Sequence, residues 1–176
     1  QKQSANATVT SKNDTYKLDG ARFDIYESAG DKRVGSIQMD GNGRAQATLL
    51  PNTAYYLVET KAPAGYVPRR NRIPFTTEGS GGHVTIDEQP GTITLRIVKL
   101  DAATGTGSQA GASLAGAEFT CVSQSTPGWT QTLTTDETGR AALADVPLGT
   151  FTVYESKAPE GYLLPSDSWT YTVGAD

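Results

Sequence analysis

Two glutamates stand in nearly identical blocks of the sequence, and they are the residues best suited to chemistry. The block Tyr-Leu-Val-Glu-Thr-Lys-Ala-Pro-Ala-Gly-Tyr contains Glu59, and the block Thr-Val-Tyr-Glu-Ser-Lys-Ala-Pro-Glu-Gly-Tyr contains Glu155. Each glutamate lies in an alternating run of apolar and aromatic residues, where burial of a carboxylate costs free energy unless a partner compensates it. A carboxyl group in such surroundings can hold and transfer protons.

The repetition extends beyond the glutamates and predicts two domains. The segment Leu-Asp-Gly-Ala that ends at Ala21 returns as Leu-Ala-Gly-Ala ending at Ala117, and Gly-Arg-Ala recurs at Gly43 and Gly139. All these pairs share one offset along the chain. The 176 residues therefore divide into a first domain of residues 1–90 and a second domain of residues 91–176, each large enough for one hydrophobic core.

The elements that must position these residues are β-strands. The 19 glycines and 9 prolines are spread along the chain, and no window shows sustained apolar residues at helical spacing. Short alternating runs between turn signals instead indicate antiparallel sandwiches. The predicted strands are 7–12, 21–26, 45–49, 55–59, 73–76 and 83–87 in the first copy, and 92–100, 117–123, 130–134, 141–144, 151–155 and 169–173 in the second.

Composition excludes several functional classes. The net charge of -4 and the mixed distribution of charges give no basic face for nucleic acid. No apolar run is long enough to insert into a membrane. Cys121 is the only cysteine and His83 the only histidine, so we expect no internal disulfide, no metal and no cofactor, and we interpret Cys121 as a buried strand residue.

The motifs resemble a known family. The chain shows Lys-x-Asp, Leu-x-Gly-Ala-x-Phe, Asp-x-x-Gly-Arg and Glu-x-Lys-Ala-Pro-x-Gly-Tyr in order, and in this it is similar to the Cna B-type (SpaA-like, prealbumin-like) domains of Gram-positive pilins and surface adhesins. The resemblance implies an all-β fold of two tandem immunoglobulin-like β-sandwich domains. It also implies an amide (isopeptide) bond, formed spontaneously between a lysine on the first strand and an Asn or Asp on the last, with the glutamate of the repeated block promoting the reaction.

Chemistry and internal alignment then suggest the participants. A lysine amine attacks only when neutral, and burial favours the neutral form. Lys12 precedes Asn-Asp as Lys99 precedes Leu-Asp, so these two are the predicted nucleophiles, with Glu59 and Glu155 as proton shuttles. In the alternative interpretation, a lysine on an edge strand prevents aggregation or forms a partly buried ion pair.

The acceptors depart from the pattern of the family. Asp87 stands where the family has Asn, and strand alternation then points Glu88 outward. The position that would match Asp87 in the second copy lies beyond Asp176. We therefore expect a fragment of a longer protein whose second domain lacks its last strand; Asp176 as acceptor, or no bond, are the alternatives. Lys61 and Lys157 are rival nucleophiles, but their place beside Ala-Pro at a strand exit favours solvated lysines.

The predicted function is structural. We expect a stalk or backbone module of an extracellular protein, anchored to the cell wall through other parts of its parent, whose partners are further domains of the same protein or neighbouring pilin subunits. The alternative is an adhesin domain that contacts a host matrix protein or glycan through loops 104–113 and 125–129, with Trp129 exposed. No catalytic triad, metal cluster or phosphate-binding loop indicates a multiple-turnover enzyme.

Overall fold

Alternating apolar residues build two small β-sandwiches, which confirms the predicted fold class. The structure is a computed structural model that describes residues 1–79 and 81–174. The described residues form two compact units. The first unit comprises Gln1–Thr10 and Asp14–Gly91, and the second comprises Ser11–Asn13 and Thr92–Gly174. No helix in the described ranges is long and apolar enough to cross a membrane.

The first unit joins a four-stranded antiparallel sheet to a pair of short parallel strands. Its elements are β1 (Lys2–Ser4), α1 (Ala7–Thr10), β2 (Arg22–Glu27), β3 (Lys32–Gln38), β4 (Ala54–Lys61), β5 (Ile73–Thr76) and β6 (Ile86–Glu88). The larger sheet has the order β3-β2-β4-β5, and β1 pairs with β6. Side chains of β2 and β4 that point to one face meet Ile86 of β6 in a single apolar core.

The second unit repeats this plan with longer strands. Its elements are β7 (Thr92–Val98), β8 (Glu118–Ser123), β9 (Thr130–Thr134), β10 (Arg140–Pro147), β11 (Gly149–Lys157) and β12 (Ser168–Val173). The sheet β12-β11-β8-β9 packs against the antiparallel pair β10-β7. The side chains of Ile93, Leu95 and Ile97 on β7 pack against the buried core that includes Phe119 and Phe151.

The predicted strand 7–12 was wrong, because this segment begins a helix. The Asn6 carbonyl accepts hydrogen bonds from the backbone N–H groups of Val9 and Thr10, and the Asn6 side chain also accepts one from Val9. Asn at a helix start satisfies N–H groups that the helix itself leaves free, so the turn forms in place of a strand. The first strand of this unit is instead β1, closer to the amino terminus.

The segment 45–49 also differs from its prediction. Its residues alternate as in a β-strand, yet the segment forms no hydrogen-bonded ladder with a described strand. Its counterpart in the second unit, β10, pairs with β7. The strand β3 was not predicted, because its charged residues and Gly35 interrupt the apolar alternation. Of the other predicted strands, 73–76 and 130–134 have the predicted bounds, and the rest are present with shifted ends.

Candidate functional site

The first unit buries a lysine between two glutamates. Lys2 Nζ lies 2.6 Å from Glu59 Oε1 and 3.3 Å from Glu88 Oε1, and none of the three side chains is more than 1% exposed. Removing three ionisable groups from water is costly even when they pair. Such a cluster is therefore a candidate site for chemistry or for a specific structural bond.

Three strands bring these side chains together. Parallel pairing of β1 with β6 sets Lys2 opposite Ile86 and Ser4 opposite Glu88. Glu59 pairs with Phe23 of β2, whose ring centroid is 4.7 Å from Lys2 Nζ. The aromatic ring excludes water on one side of the ammonium group and also attracts it through its π face.

A tight loop holds Lys2 in place. The backbone N–H of Lys2 donates to the Gly43 carbonyl over 2.7 Å. Gly43 has φ of 66°, and a Cβ there would lie 2.9 Å from the Lys2 carbonyl oxygen. The Asp40 side chain accepts hydrogen bonds from the backbone N–H groups of Asn42 and Arg44, which closes the loop. The motif Asp-x-x-Gly-Arg is thus the clamp on the lysine strand.

Electrostatics distinguish Glu88 from an ordinary surface glutamate. Burial raises the pKa of the Glu88 carboxyl, and the adjacent Glu59 raises it further, whereas Lys2 and Arg69 act in the opposite direction. The Glu88 Oε1 atom is buried and lacks a hydrogen bond of good geometry, although Lys2 Nζ lies 3.3 Å away. These surroundings favour the protonated, neutral form of the Glu88 carboxyl group.

Arg69 adds a second cation to the cluster. Its backbone N–H donates to Glu59 Oε2 over 2.6 Å, which fixes the second oxygen of that carboxylate. Its Nε lies 3.7 Å from Glu88 Oε1, and another guanidinium nitrogen donates to the Asp87 carbonyl. No sequence motif indicated Arg69, and the matching position of the second copy is Pro165.

The second unit contains a simpler version of the site. Lys99 Nζ lies 2.9 Å from Glu155 Oε2, and the two side chains are 12% and 2% exposed. Glu155 pairs with Phe119 as Glu59 pairs with Phe23. Glu155 Oε1 is buried without a hydrogen-bond partner. No third carboxyl group reaches this pair from the described part of the unit.

Backbone contacts establish that Lys2, and not Lys12, corresponds to Lys99. The N–H of Lys99 donates to the Gly139 carbonyl over 2.8 Å, as the N–H of Lys2 donates to Gly43. Two residues further on, Ser4 accepts a hydrogen bond from a backbone N–H, and Asp101 does the same. Asp101 is buried, and side-chain hydrogen bonds from Gln109 and Tyr162, with backbone hydrogen bonds, hold its pKa well below the usual range.

The structure does not bring Lys12 and Asp87 to Glu59, so both assignments are corrected. Lys12 is exposed in a turn with φ of 60°. Asp87 is also exposed, and its carboxylate accepts a hydrogen bond from Gln3 on the outer face. Glu88, which was expected to point outward, is buried. A difference of one residue in β6 exchanges the two faces of the strand, which is why sequence alternation chose the wrong acid.

The remaining candidates are also located. Lys61 and Lys157 are exposed, as expected of solvated lysines, and Lys157 pairs with a surface glutamate. Burial raises the pKa of the Cys121 thiol to about 11, in keeping with a buried strand residue. Trp129 packs against the second core, which removes the reason to treat it as an exposed binding residue. Asp176 lies outside the described residues.

Comparison with known proteins identifies relatives for the whole length of the chain. The SpaA family of prealbumin-like fold domains matches twice, over residues 4–90 and 94–176. The Bacillus anthracis TIE protein is similar over 99% of this chain with 26% identity and a TM-score of 0.64, and the chain covers 30% of that protein. The pilus adhesin SpaC of Lactobacillus rhamnosus GG is similar in fold over 99% of this chain, with 20% identity and a TM-score of 0.54, and 26% of it is covered.

No curated protein sequence matches the chain. The chain spans less than a third of each of the two solved relatives described above. The two family matches cover nearly all residues and agree with the internal repeat and with the two units. The chain therefore belongs to the SpaA family of prealbumin-like fold domains and contains two of these domains in tandem.

Proposed function

We propose that the chain is a structural module of a pilin or adhesin on a Gram-positive cell surface, and that an amide bond between Lys2 and Glu88 ties its first domain. The single observation that supports this most is the burial of Lys2 against two carboxyl groups, one of them on β6. Glu59 keeps the proton-transfer role expected from the sequence. Lys2 replaces Lys12 as the nucleophile, and Glu88 replaces Asp87 as the acceptor.

The arrangement supports condensation without a cofactor. Glu59 accepts a proton from the Lys2 ammonium, and the lone pair of Nζ attacks Cδ of the protonated Glu88 carboxyl. The C–N bond forms, the Cδ–OH bond breaks, and water leaves. Of the four protons on the ammonium and the carboxylic acid, one stays on the amide nitrogen, two leave with water and one remains on Glu59. Packed strands hold the reacting atoms close, which lowers the entropic part of the barrier.

Such a bond would stabilise the domain in two ways. By analogy with a disulfide, a tie that closes the long loop from Lys2 to Glu88 raises the free energy of unfolding by about 4 to 5 kcal/mol. It also connects the first and last strands of the unit, so that tension passes through covalent bonds. Both effects suit a module that separates other parts of a surface protein from the cell wall.

For the second domain we propose an ion pair within this chain. Lys99 and Glu155 are in contact, and Asp176, the alternative acceptor suggested by the sequence, lies outside the described residues. An acceptor carboxyl or amide group supplied by another segment of the parent protein would complete the same chemistry. The partners we propose are other domains of the parent protein or neighbouring pilin subunits.

Intact-mass spectrometry tests the bond. We expect the chain to weigh about 18 Da less than its sequence, because one water is lost on condensation. Lys2→Met should restore the full mass, whereas Lys99→Met should leave the deficit unchanged. Cyclisation of the terminal Gln1 would remove about 17 Da and would not respond to Lys2→Met. A wild-type chain of full mass would contradict the amide and leave a buried cluster of charges.

A further inference from the structure

Arg69 presents a buried hydrogen-bond donor to the carboxyl group of Glu88. The Arg69 Nε atom and the Glu88 Oε1 atom are both buried, 3.7 Å separates them, and neither has a hydrogen-bond partner in the described part of the chain. Buried polar atoms are normally paired, so each one that is not calls for an explanation. Here a donor and an acceptor face each other without forming a hydrogen bond.

Contacts at both ends of Arg69 hold it at this point. Its backbone N–H donates to Glu59 Oε2 over 2.6 Å. At the other end, its Nη2 atom donates to the carbonyl of Asp87, the residue before Glu88. The guanidinium group is therefore fixed against the backbone of β6 with Nε beside the Glu88 carboxyl. A donor that is already in place needs little reorganisation when negative charge develops next to it.

Condensation of Lys2 with Glu88 places negative charge on one carboxyl oxygen of Glu88. When Nζ attacks Cδ, the electron pair of the Cδ–Oε1 double bond moves to Oε1. The pair returns when the Cδ–Oε2 bond breaks and water leaves. A hydrogen bond of the usual length, about 3.0 Å, requires Nε and Oε1 to approach by only about 0.7 Å. The contact therefore strengthens when Oε1 becomes an oxyanion, and an interaction that is stronger in the transition state than in the ground state accelerates the reaction.

The internal repeat provides a comparison without this group. The position that matches Arg69 is Pro165, which has neither a cationic side chain nor a backbone N–H. Correspondingly, Glu155 Oε1 is buried and has no hydrogen-bond partner among the described residues, whereas both oxygens of Glu59 are held. The arginine thus occurs in the unit where a third carboxyl group reaches the lysine, and its position is taken by proline in the unit where no described carboxyl group does so.

We propose that Arg69 is a catalytic residue of amide formation, whose Nε–H donates a hydrogen bond to the Glu88 oxyanion in the tetrahedral intermediate. This role rests on the amide between Lys2 and Glu88 proposed above. Arg69 exchanges no proton in the reaction, because a guanidinium group stays protonated in proteins. The protons are therefore divided between Glu59, the amide nitrogen and water as already described, and Arg69 contributes only to the rate.

Mass spectrometry during synthesis of the full chain measures this rate. Samples from a short pulse of cell-free synthesis are quenched with acid at successive times, and the fraction of chains that lack one water is determined. Arg69→Ala should slow the loss of water by about 100-fold, as removal of one oxyanion donor does in other enzymes. Arg69→Lys has a methylene group in place of Nε–H and should slow it by at least about tenfold. Arg70→Ala is the matched control, because Arg70 is exposed, and it should react like the wild type.

Added guanidinium separates hydrogen-bond donation from a structural effect. The Arg69 side chain is 32% exposed, so the space left by Arg69→Ala is open to small ions. Guanidinium chloride at a non-denaturing concentration should accelerate this variant by about tenfold, whereas tetramethylammonium chloride, whose cation has no hydrogen-bond donor, should not.

The outcomes distinguish the role of Arg69 from the amide itself. Wild-type rates in both Arg69 variants, equal rescue by the two cations, or no rescue of an Arg69→Ala chain whose β4 amides are protected from hydrogen exchange would overturn the role of Arg69 and leave the amide in place. If the β4 amides of Arg69→Ala are unprotected, Arg69→Lys decides, and a wild-type rate in that variant overturns the role. A wild-type chain that never loses water would overturn both the amide and the role.

Discussion

At the scale of single residues, the first domain is defined by one lysine between two acids. The three side chains are almost completely buried, and the raised pKa of Glu88 indicates the carboxyl group that can be attacked. Glu59 is held by Lys2 on one oxygen and by the backbone of Arg69 on the other. Each of these groups therefore has a separate role that substitution can isolate.

Glu59→Gln should prevent the amide and destabilise the first domain. The isosteric amide cannot accept a proton from Lys2, and it also leaves a buried ammonium with a weaker partner, a change that costs about 3 to 5 kcal/mol. We expect the full mass and a fall of more than about 10 °C in the unfolding midpoint of this domain. Asp87→Asn is the control, and it should retain both the mass deficit and the midpoint.

When the amide is absent, titration of the Glu88 carboxyl should make the free energy of unfolding of the first domain depend on pH. In Lys2→Met, the groups that face Glu88 are Glu59 and Arg69, so the pKa of Glu88 stays above its unfolded value of about 4.3. The folded state then binds more protons than the unfolded state between these two pKa values. The free energy of unfolding should therefore fall as pH rises through this window.

Denaturant titrations between pH 4 and pH 8 measure this effect. The double variant Lys2→Met with Glu88→Gln lacks the titrating group and should show a smaller slope with pH. A slope that is the same in the single and the double variant would contradict the assignment of the pH dependence to Glu88.

The sequence located part of this site and missed part for physical reasons. The repeated block identified Glu59 and Glu155, because a carboxylate within an apolar run is informative without knowledge of the fold. Lys2 was missed because its contact with Glu88 depends on pairing between distant strands, which leaves no local pattern. The resemblance of Lys-Asn-Asp to Lys-Leu-Asp favoured Lys12, although the spacing to the Asp-x-x-Gly-Arg clamp would have indicated Lys2.

At the scale of elements, the clamp around Gly43 and Gly139 links the turn chemistry to the site. Each glycine has positive φ and lies close to the backbone carbonyl of the buried lysine in the same unit, Lys2 or Lys99. A side chain at this point would push the strand away from the buried glutamate. The fold class, most strands and these turns follow from sequence. Helix α1 depends instead on local capping by Asn6, and segment 45–49 pairs with no strand in the described part of the chain.

Gly139→Ala should destabilise the second domain more than Gly116→Ala. Both glycines have positive φ, of 72° and 82°, so both variants incur the backbone cost of about 1 to 2 kcal/mol. Only at Gly139 would the new Cβ also lie 2.6 Å from the Lys99 carbonyl oxygen, whereas nothing lies within 4 Å of one at Gly116. Thermal unfolding of the second domain should show at least a twofold larger fall for Gly139→Ala. Equal falls would show that contact with the lysine strand is unimportant.

At the scale of the whole molecule, the two domains are expected to differ in their response to force. The proposed amide between β1 and β6 would enclose nearly all of the first domain in a covalent loop, so that tension would bypass its core. The second domain has an ion pair at the same position, and an ion pair does not prevent strands from separating. Homologous domains within one chain would thus have different mechanical limits.

Single-molecule stretching of the chain by its two ends tests this difference. We expect one unfolding event, with a gain in length of roughly 250 Å from the second domain at about 3.3 to 3.6 Å per residue. Lys2→Met should add a second event of similar size from the first domain. Two events in the wild-type chain would show that the first domain is not tied.

Peptide mapping after trypsin digestion tests the central claim most directly. If Lys2 and Glu88 share an amide, trypsin cannot cleave after Lys2, and the peptide Gln1 to Lys12 should be found joined to the peptide Ile73 to Arg96 with the loss of one water. Fragmentation of this species should place the link at Lys2 and Glu88. Recovery of both segments only as separate, unmodified peptides, with cleavage after Lys2, would contradict the account.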